Sequence, residues 1–180
     1  MSGSHNLENA LAAAAAAASA GVTLEQAVDS LSRFEGVKRR LERTATVADI
    51  AIYDDFAHHP TAIRRAIAAI RNRYPGHRIV VAIEPRSNTM MLGVHNAEIA
   101  ESLSDADLVW VYRPQDMTAE FESALSELGR KLRVFSDYDQ LVADMSTRVL
   151  SGDQVVFMSN GGFGSARQTL TALLQRTRGG

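Results

Sequence analysis

Carboxylate, imidazole and a helix-starting proline meet in one short run, Asp54-Asp55-Phe56-Ala57-His58-His59-Pro60. The run follows the apolar segment Ile50-Ala51-Ile52-Tyr53, which reads as a buried strand, and Pro60 suits the first turn of a helix. At such a junction a carboxylate can accept hydrogen bonds from ribose hydroxyls. Imidazole and the free backbone N–H groups of the helix start can meet a phosphate or another carboxylate. A plainer reading stays open, in which Asp55 caps the helix and the histidines are solvated. A metal at His58 and His59 is disfavoured, because adjacent side chains diverge and no third ligand lies close by in the sequence.

Other loops carry comparable chemistry. Glu84-Pro85-Arg86-Ser87-Asn88-Thr89-Met90-Met91-Leu92-Gly93 is long for a strand-to-helix connection and supplies the guanidinium of Arg86 with the hydrogen-bonding side chains of Ser87, Asn88 and Thr89. It reads as an anion-recognition loop, with an exposed surface loop as the alternative. Arg113, in Tyr112-Arg113-Pro114-Gln115-Asp116, stands at another strand end. Ser159-Asn160-Gly161-Gly162-Phe163-Gly164-Ser165 joins the last strand to the last helix, where glycine lets backbone approach a ligand; a tight turn is the alternative. Its spacing fails the G-x-G-x-x-G fingerprint of dinucleotide sites. No Gly-Lys pair occurs anywhere, so the chain has no G-x-x-x-x-G-K-[ST] phosphate loop, and any ATP phosphates must be held elsewhere.

The elements that must position these residues follow from periodicity. Strands are expected over 40–47, 50–53, 78–83, 108–112, 132–135 and 155–158, most of them short and nearly all apolar. Helical spacing separates them: Ile63, Ala66, Ile67 and Ile70; Ile99 and Leu103; Phe121, Leu125 and Leu128; Leu141, Met145 and Val149; Leu170, Leu173 and Leu174. This alternation predicts an α/β fold for residues 37–180, a Rossmann-like, doubly wound and mostly parallel sheet of about six strands. Ligands of such sheets sit at the carboxyl ends of the strands, where the loops above fall. Residues 5–36 read as a helical lead-in. An alanine-rich helix over 6–20 stops at Gly21; a second begins after Thr23 with Gln26 completing a capping box, presents Leu24, Ala27, Val28 and Leu31 on one face, and ends by Gly36. Residues 1–4 carry no fold signal and read as an appended scar before a chain that properly starts near His5.

Composition narrows the classes of partner. The chain has 180 residues with 19 Lys+Arg against 21 Asp+Glu, a formal charge of -2, which argues against binding nucleic acid or anionic membrane through phosphate neutralisation. Absence of cysteine excludes disulfides, thiolate zinc sites and a cysteine nucleophile. The seven alanines from Ala12 to Ala18 lack the basic flank of a signal peptide and the strongly apolar character of a membrane span.

Three segments taken in order, His5-Asn6-Leu7-Glu8-Asn9-Ala10, Gly36-Val37-Lys38-Arg39-Arg40-Leu41-Glu42 and Asp54-Asp55-Phe56-Ala57-His58-His59-Pro60, resemble the Mur ligases over nearly the whole chain. Those are three-domain, ATP-dependent amide-forming enzymes of peptidoglycan assembly. The resemblance implies that 5–36 closes the central domain and that 37–180 is the C-terminal domain. It places the phosphate loop and main magnesium ligands in the missing upstream domains, which would be this chain's partners. ATP and Mg²⁺ are implied for the complete enzyme, with none held tightly by this chain alone, which would be inactive by itself. Within the family, Glu84-Pro85-Arg86-Ser87-Asn88-Thr89-Met90 and Ser159-Asn160-Gly161-Gly162-Phe163-Gly164 are most similar to members that join the tripeptide L-alanyl-γ-D-glutamyl-meso-diaminopimelate to UDP-N-acetylmuramic acid through an acyl-phosphate, in cytoplasmic cell-wall recycling. The alternatives are the UDP-N-acetylmuramate:L-alanine ligases, which share D-D-x-x-H-H-P, and a stand-alone α/β receiver-like module. By resemblance Asn9, Arg40, Asp55 and His58 face the nucleotide, with Arg40 and His58 in catalytic positions. Arg86, Ser87, Asn88, Thr89, Arg113, Ser159, Asn160, Gly161 and Gly162 face the incoming peptide.

Overall fold

Alternate residues of a strand point to opposite faces of its sheet, so a strand apolar throughout needs cover on both sides. The computed structural model, which describes residues 4–34, 36–86 and 96–179, supplies that cover. Its strands are β1 (Glu42–Val47), β2 (Ile50–Asp55), β3 (Ile79–Ile83), β4 (Leu108–Tyr112), β5 (Leu132–Phe135) and β6 (Gln154–Met158), in the sheet order β1-β2-β6-β3-β4-β5. β1 runs antiparallel to β2, and the other neighbouring pairs are parallel. The helices are α1 (Ser4–Ser19), α2 (Leu24–Ser32), α3 (Pro60–Arg73), α4 (Asn96–Leu103), α5 (Ala119–Leu125), α6 (Tyr138–Arg148) and α7 (Ala166–Arg178).

On one face Tyr53, Val81 and Val111 pack with Ile63 and Ile67 of α3, Leu103 of α4 and Phe121 of α5. On the other, Ile52, Val80, Trp110 and Phe157 pack with Leu141 and Met145 of α6 and Leu170 and Leu174 of α7. Each fully buried isoleucine or leucine contributes roughly 1.5–3 kcal/mol, and these two layers hold the strand ends in register. The indole of Trp110 is fully buried, and its N–H donates to Asp144 at 2.8 Å.

The doubly wound, mostly parallel sheet of six strands agrees with the pattern in the sequence. Local differences have local causes. β1 starts at Glu42 rather than residue 40, because Arg39 and Leu41 adopt left-handed φ of 58° and 47°, which breaks the extended run. Ala48 and Asp49 also have positive φ, 48° and 63°, the geometry that closes a two-residue hairpin between β1 and β2. The period through Leu125 and Leu128 is helical only to Leu125 and continues as a 3₁₀ turn over Ser126–Lys131. α2 has the capping box of Thr23 and Gln26 but ends at Ser32, short of Gly36. Its apolar face is covered only in part: Ala27 is buried, while Leu24 is 69% and Val28 55% exposed. Leu7 and Leu11 of α1, which packs on α2, are also exposed.

Candidate active site

Parallel pairing brings three strand ends together. Asp55 and Ile83 both register with Met158, so the Ser159 N–H donates to the Asp55 carbonyl at 3.1 Å and the Glu84 N–H to the Met158 carbonyl at 3.0 Å. Two buried carboxylates, Asp55 and Glu84, thus flank the loop that begins at Ser159.

Asp55 is held by backbone. Its two oxygens accept from the N–H groups of Leu41 at 2.6 Å and Ala57 at 2.7 Å. Burial raises its carboxyl above the ordinary aspartate range, against the opposing pull of those N–H groups and of the Arg40 guanidinium. Left-handed Arg39 and Leu41 bracket Arg40, whose exposed guanidinium lies 5.7 Å from the Phe56 ring centre. Arg40 makes no ion pair among the described residues. Arg39 turns the other way: its Nη2 donates to the carbonyls of Ser159 and Gly161, both at 2.6 Å, and its Nε stands 3.7 Å from Asp54. Arg167 reaches the same Asp54 oxygen at 3.5 Å. His58 Nδ1 lies 2.9 Å from the Phe56 carbonyl, and its ring meets Phe56 edge-on. The helix cap is His59, whose Nδ1 accepts from the Thr61 N–H at 3.3 Å; Asp55 does not cap α3, because both its oxygens are taken.

Glu84 is held mainly by side chains. Its Oε2 accepts from the Ser159 hydroxyl at 2.5 Å and the Phe163 N–H at 3.2 Å, and its Oε1 accepts from the Tyr138 hydroxyl. The Ser159 hydroxyl oxygen in turn accepts from the Gly161 N–H at 2.8 Å. Phe163, Gly164 and Ser165 all have positive φ, so the chain makes a left-handed turn into α7 at the point where Glu84 grips it. A Cβ on Gly164 would overlap the Tyr138 ring, and one on Gly161 would overlap the Arg86 side chain. Glu84, Arg86, Tyr112, Pro114, Gln115, Asp116 and Tyr138 line an open cleft of about 480 Å³.

The structure therefore gathers Arg40, Asp55 and His58 around Phe56, and Arg86, Ser159, Asn160, Gly161 and Gly162 around Glu84. Asn9 is exposed on α1, with no hydrogen bond to Arg40 or His58 among the described residues. Arg113 pairs with Glu122 at 3.2 Å. Asn160 Oδ1 is buried without a hydrogen-bond partner among the described residues. Ser87, Asn88 and Thr89 lie outside the described residues. Sequence reasoning passed over Arg39, Glu84 and Tyr138 as site residues. Glu84 had a signal, an acid directly after a fully apolar strand; Tyr138 had none, because its partner is 54 residues away.

A two-faced, mostly parallel sheet with its polar loops at the carboxyl strand ends defines a doubly wound α/β domain. The family model described as Mur ligase, glutamate ligase domain, matches residues 39–161, and the chain belongs to the Mur ligase family. The UDP-N-acetylmuramate–L-alanyl-γ-D-glutamyl-meso-2,6-diaminoheptandioate ligase of Haemophilus influenzae is 40% identical over 169 residues, 93% of this chain and 37% of that protein. The UDP-N-acetylmuramate–L-alanine ligase of Renibacterium salmoninarum is 34% identical over 166 residues, 88% of this chain and 35% of that protein. The crystal structure of a murein peptide ligase from Psychrobacter arcticus is 39% identical, with a TM-score of 0.74 over 97% of this chain and 38% of that one. The chain thus spans little more than a third of the length of the relatives it matches. Family membership replaces the receiver-like alternative.

Proposed function

We propose that this chain is the C-terminal part of an ATP-dependent ligase that joins the tripeptide L-alanyl-γ-D-glutamyl-meso-diaminopimelate to UDP-N-acetylmuramic acid in cytoplasmic peptidoglycan recycling. The observation that carries this reading is 40% identity over 93% of the chain to a tripeptide ligase, against 34% over 88% to an L-alanine ligase. Residues 5–36 belong, on this reading, to the preceding central domain, which would cover the exposed apolar side chains of α1 and α2. Alone, the chain would bind weakly and catalyse nothing.

The end of β2 and the turn before β1 fit a phosphorylated nucleotide: Arg40, a cation without an ion pair among the described residues, the Phe56 ring and the His58 imidazole stand together on a backbone-braced carboxylate. Arg40 and His58 would hold ATP there, with Asp55 keeping the Arg40 turn in place. ATP with Mg²⁺ would supply activation of the muramate carboxylate by phosphoryl transfer. Arg40 then meets charge on the phosphates as it shifts, so it contributes by position and field rather than by proton transfer. On the other side Arg86, in the cleft, would offer its guanidinium to a carboxylate of the peptide, and Arg113 would do so on leaving its pair with Glu122. Asn9, on α1, is assigned to the adenine by family resemblance.

The test is ATP- and Mg²⁺-dependent ligation to UDP-N-acetylmuramic acid by a protein carrying this chain together with the upstream domains of its relatives, with free L-alanine and tripeptide offered in parallel. Preference for tripeptide is expected. Preference for L-alanine moves the chain to the other ligase group, and activity with neither removes the reading.

A further inference from the structure

The oxygen Oε1 of Glu84 faces two donors that it treats differently. Tyr138 donates its hydroxyl hydrogen to it, whereas Arg86 Nε stands 4.0 Å away, a loose ion pair without a hydrogen bond. Oε2 is already filled by Ser159 and Phe163. The carboxylate side chain is 1% exposed and the arginine side chain 54%. A buried carboxylate with an open position draws a neighbouring guanidinium into a close, charge-assisted pair. Here Tyr138 takes one of the two lone pairs of Oε1 and competes with the guanidinium for that oxygen.

Tyr138 is itself tightly held. Its ring stacks on Tyr112 at 3.9 Å with 6° between planes, meets Phe163 edge-on, and leaves no room for a side chain at Gly164. It opens α6 directly after the cap Asp137, so the hydroxyl is aimed by a helix start and by aromatic packing together. Arg86 runs across Gly161, where a Cβ would displace it, and both Arg86 and Tyr138 line the cleft.

We propose that Tyr138 is a positioning residue: by holding Glu84 Oε1 it keeps the Arg86 ion pair loose, short of hydrogen-bond distance, and so leaves the guanidinium presented to an anionic acceptor in the cleft. Only the identity of that acceptor rests on the ligase reading above.

Tyr138→Phe removes the hydroxyl and keeps the stacked ring. In the 180-residue chain, phenylglyoxal labelling of Arg86, read by peptide mass spectrometry and normalised to the exposed Arg33, is expected to slow about threefold as the guanidinium pairs with Glu84. Adding Glu84→Gln removes the attracting charge, so the double variant should regain labelling at Arg86 while Arg78, paired with the buried Asp153, stays as slow as in the wild type, which general loosening of the fold would not leave unchanged. In the complete enzyme, Tyr138→Phe should raise KM for the peptide acceptor about fivefold with a smaller change in kcat. Equal or faster labelling of Arg86 in Tyr138→Phe overturns the proposal. Slower labelling with unchanged acceptor KM overturns the presentation of Arg86 to the acceptor. A wild-type enzyme that ligates no carboxylate-bearing acceptor overturns the ligase reading instead, and the labelling result then decides the contact by itself.

Discussion

The two buried carboxylates at the strand ends are satisfied in opposite ways. Asp55 takes both its hydrogen bonds from backbone N–H groups, 14 and 2 residues away in the chain. Glu84 takes its bonds from Tyr138, Ser159 and Phe163, which are 54, 75 and 79 residues away. The consequence lies in the neighbouring arginine. Backbone satisfaction of Asp55 leaves Arg40 exposed and without an ion pair among the described residues, which suits a charge that must engage phosphates for part of a cycle. Side-chain satisfaction makes Glu84 a brace that ties three elements into one pocket wall, with Arg86 held at its margin.

If that contrast is right, the two acids respond differently to substitution. Glu84→Ala leaves two hydroxyls and a backbone N–H without their acceptor, and should cost about 3–5 kcal/mol of stability by urea denaturation. A loss below 1 kcal/mol, by the same reasoning, would show that Glu84 is no brace. Arg40→Ala should leave denaturation nearly unchanged while lowering turnover of the complete ligase on the order of a hundredfold, with little change in peptide affinity. Unchanged turnover would erase the distinction between the two regions. Gly164→Ala combines a left-handed backbone with overlap of the Tyr138 ring, so a cost of about 2 kcal/mol is expected by denaturation, and Gly162→Ala, with open space around it, should cost less.

The smallest effect is a pH slope. Burial raises Asp55 above its unfolded value of about 3.9, so the native state binds that proton more tightly than the unfolded chain. Its contribution to stability is therefore present at low pH and is lost as pH rises from the unfolded value through the folded one. Asp55→Asn should lack that slope in urea titrations at stepped pH, and Arg40→Ala should carry it to higher pH because an opposing positive charge is gone. A wild-type slope of the opposite sign would show that the backbone bonds outweigh burial.

The same contrast explains what the sequence disclosed. The Asp55 region was legible because its parts are close in the chain: an apolar strand, two acids, two histidines and a proline make a strand-to-helix junction by their order alone. The sheet was legible for a related reason, since fully apolar runs such as Leu108–Tyr112 demand cover on both faces. Tyr138 was hidden because nothing near it marks a partner 54 residues upstream. Arg39 was hidden because left-handed φ at a non-glycine residue is imposed by tertiary contacts, here its bonds to the Ser159 loop. The exposed face of α2 shows the limit of periodicity, which reports that a helix has an apolar side and not what lies against it.

The place of β6 in the sheet sets the order in which this protein can come into being during translation. It is the sixth strand along the chain, yet it lies between β2 and β3, which make no ladder with each other. A nascent chain therefore holds two separate half-sheets, β1–β2 and β3–β4–β5, each with an open edge, until residues 154–158 arrive to join them. Chains stopped before Gln154 would expose those edges to one another and to aggregation, whereas chains released after α7 would not. Ser159 follows β6 directly, so the strand that closes the sheet delivers the loop that completes the pocket in the same stretch of synthesis.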